Sequence, residues 1–317
     1  MLSIVTGCFN EEDNVEELCD RISKELSHCG VLEYEIIFAD NSSTDNTVEV
    51  LRRLAAHDKR VKVLVSTRNF GQIRSAYNAL SYARGEAIIM MASDLQDPPE
   101  LIRDFLNYWR DGFKVVMAQK TSSEESFLMY RLRDLYYHML TTMSEAPVIR
   151  QVTGFGLFDR EVIDQIIRIN DPIPYIRGLV SDLGYRVKLV PFAQSIRKKG
   201  RTKNNFFSLL DLAIVGLTAH SRLPLRLATL LGVGAAVLSF FIGFFYFVLK
   251  LLNWSQFELG FAPLIIGMFF FGGVQLMFLG ILGEYVAAIL NKIAARPHAV
   301  IREAVNLVPD ATKKRDR

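Results

Sequence analysis

The chain has 317 residues, half of them hydrophobic and 22% charged, with 37 Lys and Arg against 34 Asp and Glu for a net charge of +3. That balance excludes a disordered, collagen-like or polycationic nucleic-acid-binding chain. Charges recur throughout the first 222 residues and nearly vanish from two later stretches.

In the first half, short β-type runs alternate with helical ones: Leu2–Val5 then Glu12–Ser27, Glu35–Ala39 then Asp45–Ala56, Val61–Val65 then Gln72–Ala83, Ala87–Met91 then Pro99–Arg110, and Lys114–Ala118. Such spacing predicts βαβ units and a mostly parallel sheet. Ser42-Ser43-Thr44-Asp45 supplies capping oxygens for the second helix, and Asp97-Pro98-Pro99 reads as an Asp cap with proline in the first turn of the fourth. The three cysteines, Cys8, Cys19 and Cys29, lack metal-ligand spacing and read as reduced, incidental thiols.

Farther along, Glu124–Thr142 reads as a longer helix and Val187–Pro191 as a strand. A basic run, Arg197-Lys198-Lys199-Gly200-Arg201-Thr202-Lys203, leads into an apolar-striped segment, 204–222, suited to lying on a membrane surface.

Between Arg226 and Lys250 lie 23 uncharged residues, and between Glu258 and Glu284 another 25. At 1.5 Å per residue each run exceeds the roughly 30 Å of a bilayer's hydrocarbon core, so two transmembrane helices are expected within 223–291. Arg222 and Arg226 precede the first run and Lys292 and Arg296 follow the second, whereas the loop between them has only the boundary Lys250. The positive-inside rule then puts both termini, with a tail at 292–317, in the cytoplasm of a multi-pass plasma-membrane protein. No signal peptide is expected, because Met1–Val5 has neither a basic region nor sufficient apolar length. Gly272-Gly273 and Gly280-x-x-Gly283 are suited to close helix packing, against the first span or a neighbouring subunit.

Ligands of an open parallel sheet sit beyond the carboxyl ends of its strands, which directs attention to Gly7–Glu12, Asp40–Asp45, Thr67–Gly71 and Ala92–Asp97. Carboxylates and amides there, above all Glu11, Asp40, Asp94 and Gln96, are oxygen ligands for a hard cation bridging a diphosphate. Gly-x-x-x-x-Gly-Lys-Ser/Thr and a Gly-x-Gly-x-x-Gly after the first strand are both absent, which argues against an ATPase and a dehydrogenase.

Four segments carry a family resemblance: Phe9-Asn10-Glu11-Glu12, Asp40-Asn41-Ser42-Ser43-Thr44-Asp45-Asn46-Thr47, Arg68-Asn69-Phe70-Gly71, and Ser93-Asp94-Leu95-Gln96-Asp97-Pro98-Pro99-Glu100. Together they resemble the family 2 glycosyltransferases, more narrowly the polyisoprenyl-phosphate glycosyltransferases of the dolichol-phosphate-mannose-synthase type. The late apolar runs, Leu279–Tyr285 and Arg296-Pro297 are similar to the bacterial branch acting on undecaprenyl phosphate.

The resemblance implies a cytoplasmic GT-A-type α/β domain over 1–203. It implies transfer of a sugar from a nucleotide sugar, a UDP-sugar, to undecaprenyl phosphate with inversion, giving a membrane lipid-linked sugar for the cell envelope. Gly7, Phe9, Glu11, Asn69 and Gly71 would flank the nucleotide, with Asp40 or Asn41 at its base or ribose. Asp94 would be the catalytic and metal carboxylate, with Gln96 a second contact to Mg²⁺ or Mn²⁺. Arg131, Arg197, Arg201 and Lys203 would hold the acceptor phosphate, and a homo-oligomer is expected. Two acids of the resembling segments have another reading: Glu11 as a first-turn acid favoured by the helix dipole, and Asp45 as a cap.

Three positions depart from the family pattern. Ala92-Ser93-Asp94 stands for Asp-x-Asp, Thr153-Gly154-Phe155-Gly156 for Gly-Asp-Phe-Arg with its proposed base, and Asn41 for the second Asp of a pair. A lipid monophosphate is mostly ionised at neutral pH and attacks without losing a proton, so the missing base does not exclude turnover. The competing reading is a catalytically degenerate relative that serves as a membrane scaffold.

Overall fold

In the computed structural model the residues described are 1–121, 152–172, 174–193, 223–252, 261–294 and 297–307. The expected helices at Glu124–Thr142 and 204–222, and with them Arg131, Arg197, Lys199, Arg201 and Lys203, lie outside these residues. Two units are distinguished, a sheet domain and a helical unit.

The sheet domain follows the alternation read from the sequence: β1 (Leu2–Cys8), α1 (Val15–His28), β2 (Tyr34–Asp40), α2 (Thr47–His57), β3 (Val61–Ser66), α3 (Gln72–Leu80), β4 (Ala87–Ala92), a 3-10 turn (Pro99–Leu101), α4 (Ile102–Arg110) and β5 (Val115–Lys120). The other elements of this domain are β6 (Val152–Asp159), α5 (Arg160–Ile169), α6 (Ile176–Leu183), β7 (Val187–Phe192) and β8 (Ile301–Val305). The sheet order is β7-β5-β6-β4-β1-β2-β3-β8. Parallel pairings join β1 to β2 and β4, β2 to β3, and β5 to β7; β6 runs antiparallel to β4 and β5, and β8 to β3.

Helices cover both faces. Val15, Leu18, Ile22 and Leu26 of α1, Leu51 of α2 and Phe105 of α4 pack on one face around Ile4, Ile36 and Phe38. Tyr77 and Leu80 of α3, Ile163 and Ile166 of α5 and Val180 of α6 pack on the other around Val5, Ile37 and Ile88. Strands covered on both faces read as continuous apolar runs, as β2 and β4 do, and burying each such Ile, Leu or Phe contributes about 1.5–3 kcal/mol. One of the buried charged residues of β2, Glu35 at its start, accepts from Ser3 Oγ (2.5 Å) and Arg84 N (2.6 Å) and pairs with Lys62. Burial alone would raise its pKa, but those donors outweigh burial and lower it. Cys8, Cys19 and Cys29 are free thiols.

Two long helices make up the described part of the second unit, α7 (Leu223–Leu252, 30 residues) and α8 (Phe261–Ile293, 33 residues). Among the described residues one segment, Phe270–Ala287, meets the length and composition needed to cross a membrane, and none of it is buried. Ala228–Ile242 of α7 is a shorter apolar stretch. A Cβ at Gly232 of α7 would stand 3.8 Å from the Phe278 ring of α8, whereas one at Gly272, Gly273, Gly280 or Gly283 would meet nothing within 4 Å. Gly232 therefore lies at the contact between these two helices, which the glycines of α8 singled out from the sequence do not face.

Candidate functional site

Register in the parallel core brings the carboxyl ends of β1, β2 and β4 level, with Gly7 paired to Ala39 and Ala92 and Cys8 to Asp40. The loops that follow hold one another. The Asn10 amide nitrogen donates to Ser43 Oγ (2.9 Å), Thr44 N to Asn10 Oδ1 (2.8 Å), and Glu11 N to Thr47 Oγ1 (2.8 Å). Asp45 accepts from Thr47 N (3.0 Å) and Glu12 N (3.3 Å), so it receives the first amide of α2 and ties α2 to the first loop, while Asn46 occupies the cap position. Asn10, Ser42 and Leu95 adopt positive φ of 57°, 64° and 61°. Non-glycine residues rarely do so, and such strain persists only where neighbours over-determine it.

Asp40 is fully buried, with Oδ2 accepting from Ser43 N (3.0 Å) and Oδ1 from Ser43 Oγ (2.5 Å). Burial raises its pKa against those donors, and Asp45 adds to the rise. Burial and the same carboxylates push the Cys8 thiol well above its ordinary range. Glu11 is buried, accepts from Asn14 Nδ2 (2.5 Å) and starts α1 through its carbonyl, which receives the Asn14 and Val15 amides. Phe9 is half-buried beside it.

Asn41 links β2 to the β3–α3 loop: its Nδ2 donates to Asn69 Oδ1 (2.8 Å) and its Oδ1 accepts from Phe70 N (2.8 Å). An aspartate here would lack the NH₂ donor, which gives the departure from the family's Asp-Asp pair a local reason. Asn69 Oδ1 also takes the Gly71 amide (2.8 Å), and Gly71 has φ 89° and ψ 150°, a region essentially reserved for glycine. Gly7 is not required by space, since a Cβ there would meet Ala76 Cβ at an ordinary 3.6 Å.

After β4 the side chains alternate: Ser93, Leu95 and Asp97 are buried, whereas Ala92, Asp94 and Gln96 are half-exposed. Asp94 and Gln96 therefore share the open side, and Asp94 Oδ1 accepts from Gln96 N (3.2 Å). Asp97 does not cap the helix that follows. Its Oδ2 turns back to the Ala92 amide (2.8 Å), and Pro98 occupies the cap position. Ser93 Oγ donates to the Gly7 carbonyl (3.0 Å), locking this loop to β1.

The described residues contain no cluster of three or more His, Cys, Asp or Glu placed to hold a metal. One carboxylate with an amide oxygen still fits Mg²⁺ or Mn²⁺ chemistry, because such ions commonly take one or two carboxylates and complete their shell with substrate phosphates and water.

The two glycines of Thr153-Gly154-Phe155-Gly156, on β6, differ in cause. A Cβ at Gly154 would meet nothing within 4 Å, whereas one at Gly156 would strike the Val116 carbonyl at 2.5 Å and Met117 Cα at 3.1 Å. The position of the family's Asp is thus sterically open and that of its Arg is closed by β5. Gly154→Asp should leave thermal stability within about 0.5 kcal/mol of the parent. Gly156→Ala should cost on the order of 2 kcal/mol in the same unfolding experiment.

Residues 3–167 match the family described as Glycosyl transferase family 2. Over 306 residues the chain is 33% identical to a Bacillus subtilis protein named uncharacterized glycosyltransferase YkcC, covering 96% of this chain and 94% of that one. It is 30% identical over 304 residues to the SfII prophage-derived bactoprenol glucosyl transferase of Shigella flexneri, covering 96% and 98%. Among solved structures, glucosyl-3-phosphoglycerate synthase from Mycobacterium tuberculosis, in complex with Mn²⁺, UDP and phosphoglyceric acid, aligns with a TM-score of 0.46 at 20% identity, covering 73% of this chain and 78% of that one.

Proposed function

The chain belongs to glycosyltransferase family 2, in its polyisoprenyl-phosphate branch, and from that premise we propose that it transfers a sugar from a UDP-sugar to undecaprenyl phosphate, with inversion, at the cytoplasmic face of a bacterial plasma membrane. The observation that carries this reading is the near-complete length of the match to a bactoprenol glucosyl transferase, which includes the apolar C-terminal region as well as the sheet domain.

In this reading the loops after β1, β2 and β3 receive the nucleotide through Phe9, Glu11, Asn69 and the Asp40–Asn41 pair. Asp94 and Gln96 would hold a divalent cation, whose chemistry there would be to neutralise charge on the donor diphosphate. An acceptor phosphate oxygen bonds to the anomeric carbon as its bond to the donor diphosphate breaks, and UDP leaves with that electron pair. The acceptor's second pKa is near about 6, so no proton need be removed, in keeping with glycine at position 154. Arg131, Arg197, Arg201 and Lys203 are the cations assigned to the acceptor phosphate. The apolar runs of α7 and α8 are assigned as two spans that hold the domain, as a homo-oligomer, at its lipid.

Purified full-length protein given UDP-sugars, undecaprenyl phosphate and Mg²⁺ or Mn²⁺ should form a glycolipid and release UDP in equal amounts. Turnover should level off above about pH 6, where the acceptor is ionised. No turnover with any common UDP-sugar would overturn the proposal.

A further inference from the structure

Residues 297–307 lie more than 220 positions from the β3–α3 loop in sequence and fold against it. The Val300 carbonyl accepts from Thr67 N (2.9 Å), the first residue of that loop. β8 then runs antiparallel along β3, pairing Val305 with Val63, Ala304 with Leu64, Glu303 with Val65 and Ile301 with Ser66, with the register shifting just before the loop begins.

Side chains fasten the strand more firmly than five residues of an edge require. Arg52 of α2 grips Glu303 with two nitrogens, Nε to Oε1 (2.9 Å) and Nη2 to Oε2 (2.6 Å), the bidentate geometry that adds direction to charge. That contact lowers the Glu303 pKa and raises the Arg52 one. Asn306, at φ 57°, donates from Nδ2 to the carbonyls of Ala55 (2.6 Å) and Val61 (2.9 Å). The His298 ring lies 4.5 Å from that of Tyr77 on α3, with Nε2 3.1 Å from Asn170 Oδ1.

The β3–α3 loop is thereby held from two sides: by Asn41 at Asn69 and Phe70, and by the C-terminal segment at Thr67. We propose that the segment 297–307 is a positioning element for the nucleotide site, fixing the loop that presents Asn69. Arg52, Glu303 and Asn306 are its positioning residues. The inference rests on the nucleotide reading above for its effect on ligand affinity, and on geometry alone for its effect on the loop.

The test uses the full chain and two readouts: hydrogen exchange of the amides at 67–71, and UDP affinity. Glu303→Ala and Asn306→Gly should each speed exchange in 67–71 and weaken UDP binding about tenfold, a cost of roughly 1.4 kcal/mol. The double exchange R52E/E303R should restore both, which general destabilisation would not do. Unchanged protection of 67–71 in both single variants would overturn the proposal. So would unchanged UDP affinity despite lost protection. If the unaltered protein binds no UDP, the nucleotide reading fails, while the exchange data still decide whether the segment holds the loop.

Discussion

Replacing Asp94 by alanine should lower turnover about a thousandfold, roughly 4 kcal/mol of transition-state stabilisation, with stability changed by less than about 1 kcal/mol. The large functional effect follows from isolation. With alanine at 92, and with Asp97 bonded back to the Ala92 amide, Asp94 is the one carboxylate of this loop on its open side. The small structural effect follows because Asp94 is half-exposed, so water can replace what its carboxylate gives the loop. Asp94→Asn separates the two roles, since the amide oxygen still accepts from Gln96 N but carries no charge toward a cation. Glycolipid formation and thermal unfolding, measured on the same preparations, check both. A variant Asp94→Ala with full turnover would exclude the assigned metal role. A protein that never turns over, yet keeps a cellular phenotype in the variant, would favour the scaffold reading.

Asp97→Asn should stabilise the protein by up to about 3 kcal/mol above pH 6 and leave it nearly unchanged below pH 4. Burial pushes the Asp97 pKa from 3.8 up to about 6; the Ala92 amide opposes that, Asp94 adds to it and Lys120 opposes it. A carboxylate whose folded pKa lies above its unfolded one binds more protons in the folded state. Stability is therefore lost as pH rises through the window from about 4 to 6, and the loss is complete above it. Asparagine never ionises and its Oδ1 can still receive the Ala92 amide, so the difference between variant and parent should open across that same window. Thermal unfolding at pH 4, 5, 6 and 7.5 measures it, and a difference independent of pH would refute the buried-carboxylate account.

Much of the sheet domain was legible because its signals are local. The runs at Leu2, Glu35, Val61 and Ala87 are apolar on both sides, as strands under two helical layers must be, and the helices between them carry one apolar face. The 30- and 33-residue helices were anticipated from uncharged length, with Phe270–Ala287 the described segment that meets the spanning criterion.

Other features were not legible because their cause is remote. Thr153-Gly154-Phe155-Gly156 carries two glycines and no strand pattern, yet it forms part of β6, where Gly156 allows the β5 backbone to approach. Asp97 before two prolines has every local mark of a cap, but a nearby buried amide at Ala92 competes for the same oxygen and wins. Ile301–Val305 is short and charged, so no sequence window distinguishes it from a tail; only the edge of β3 and Arg52 make it a strand.

By itself, then, the sequence determined the α/β alternation, the family and the two apolar helices, because periodicity, charge and motif are properties of neighbouring residues. Tertiary structure alone decided how the loops after the strands are held: Asn41 against Asn69, Asp97 against Ala92, and a C-terminal strand against the loop after β3. Each joins partners whose contact exists only once the sheet has brought its strand ends and edges together.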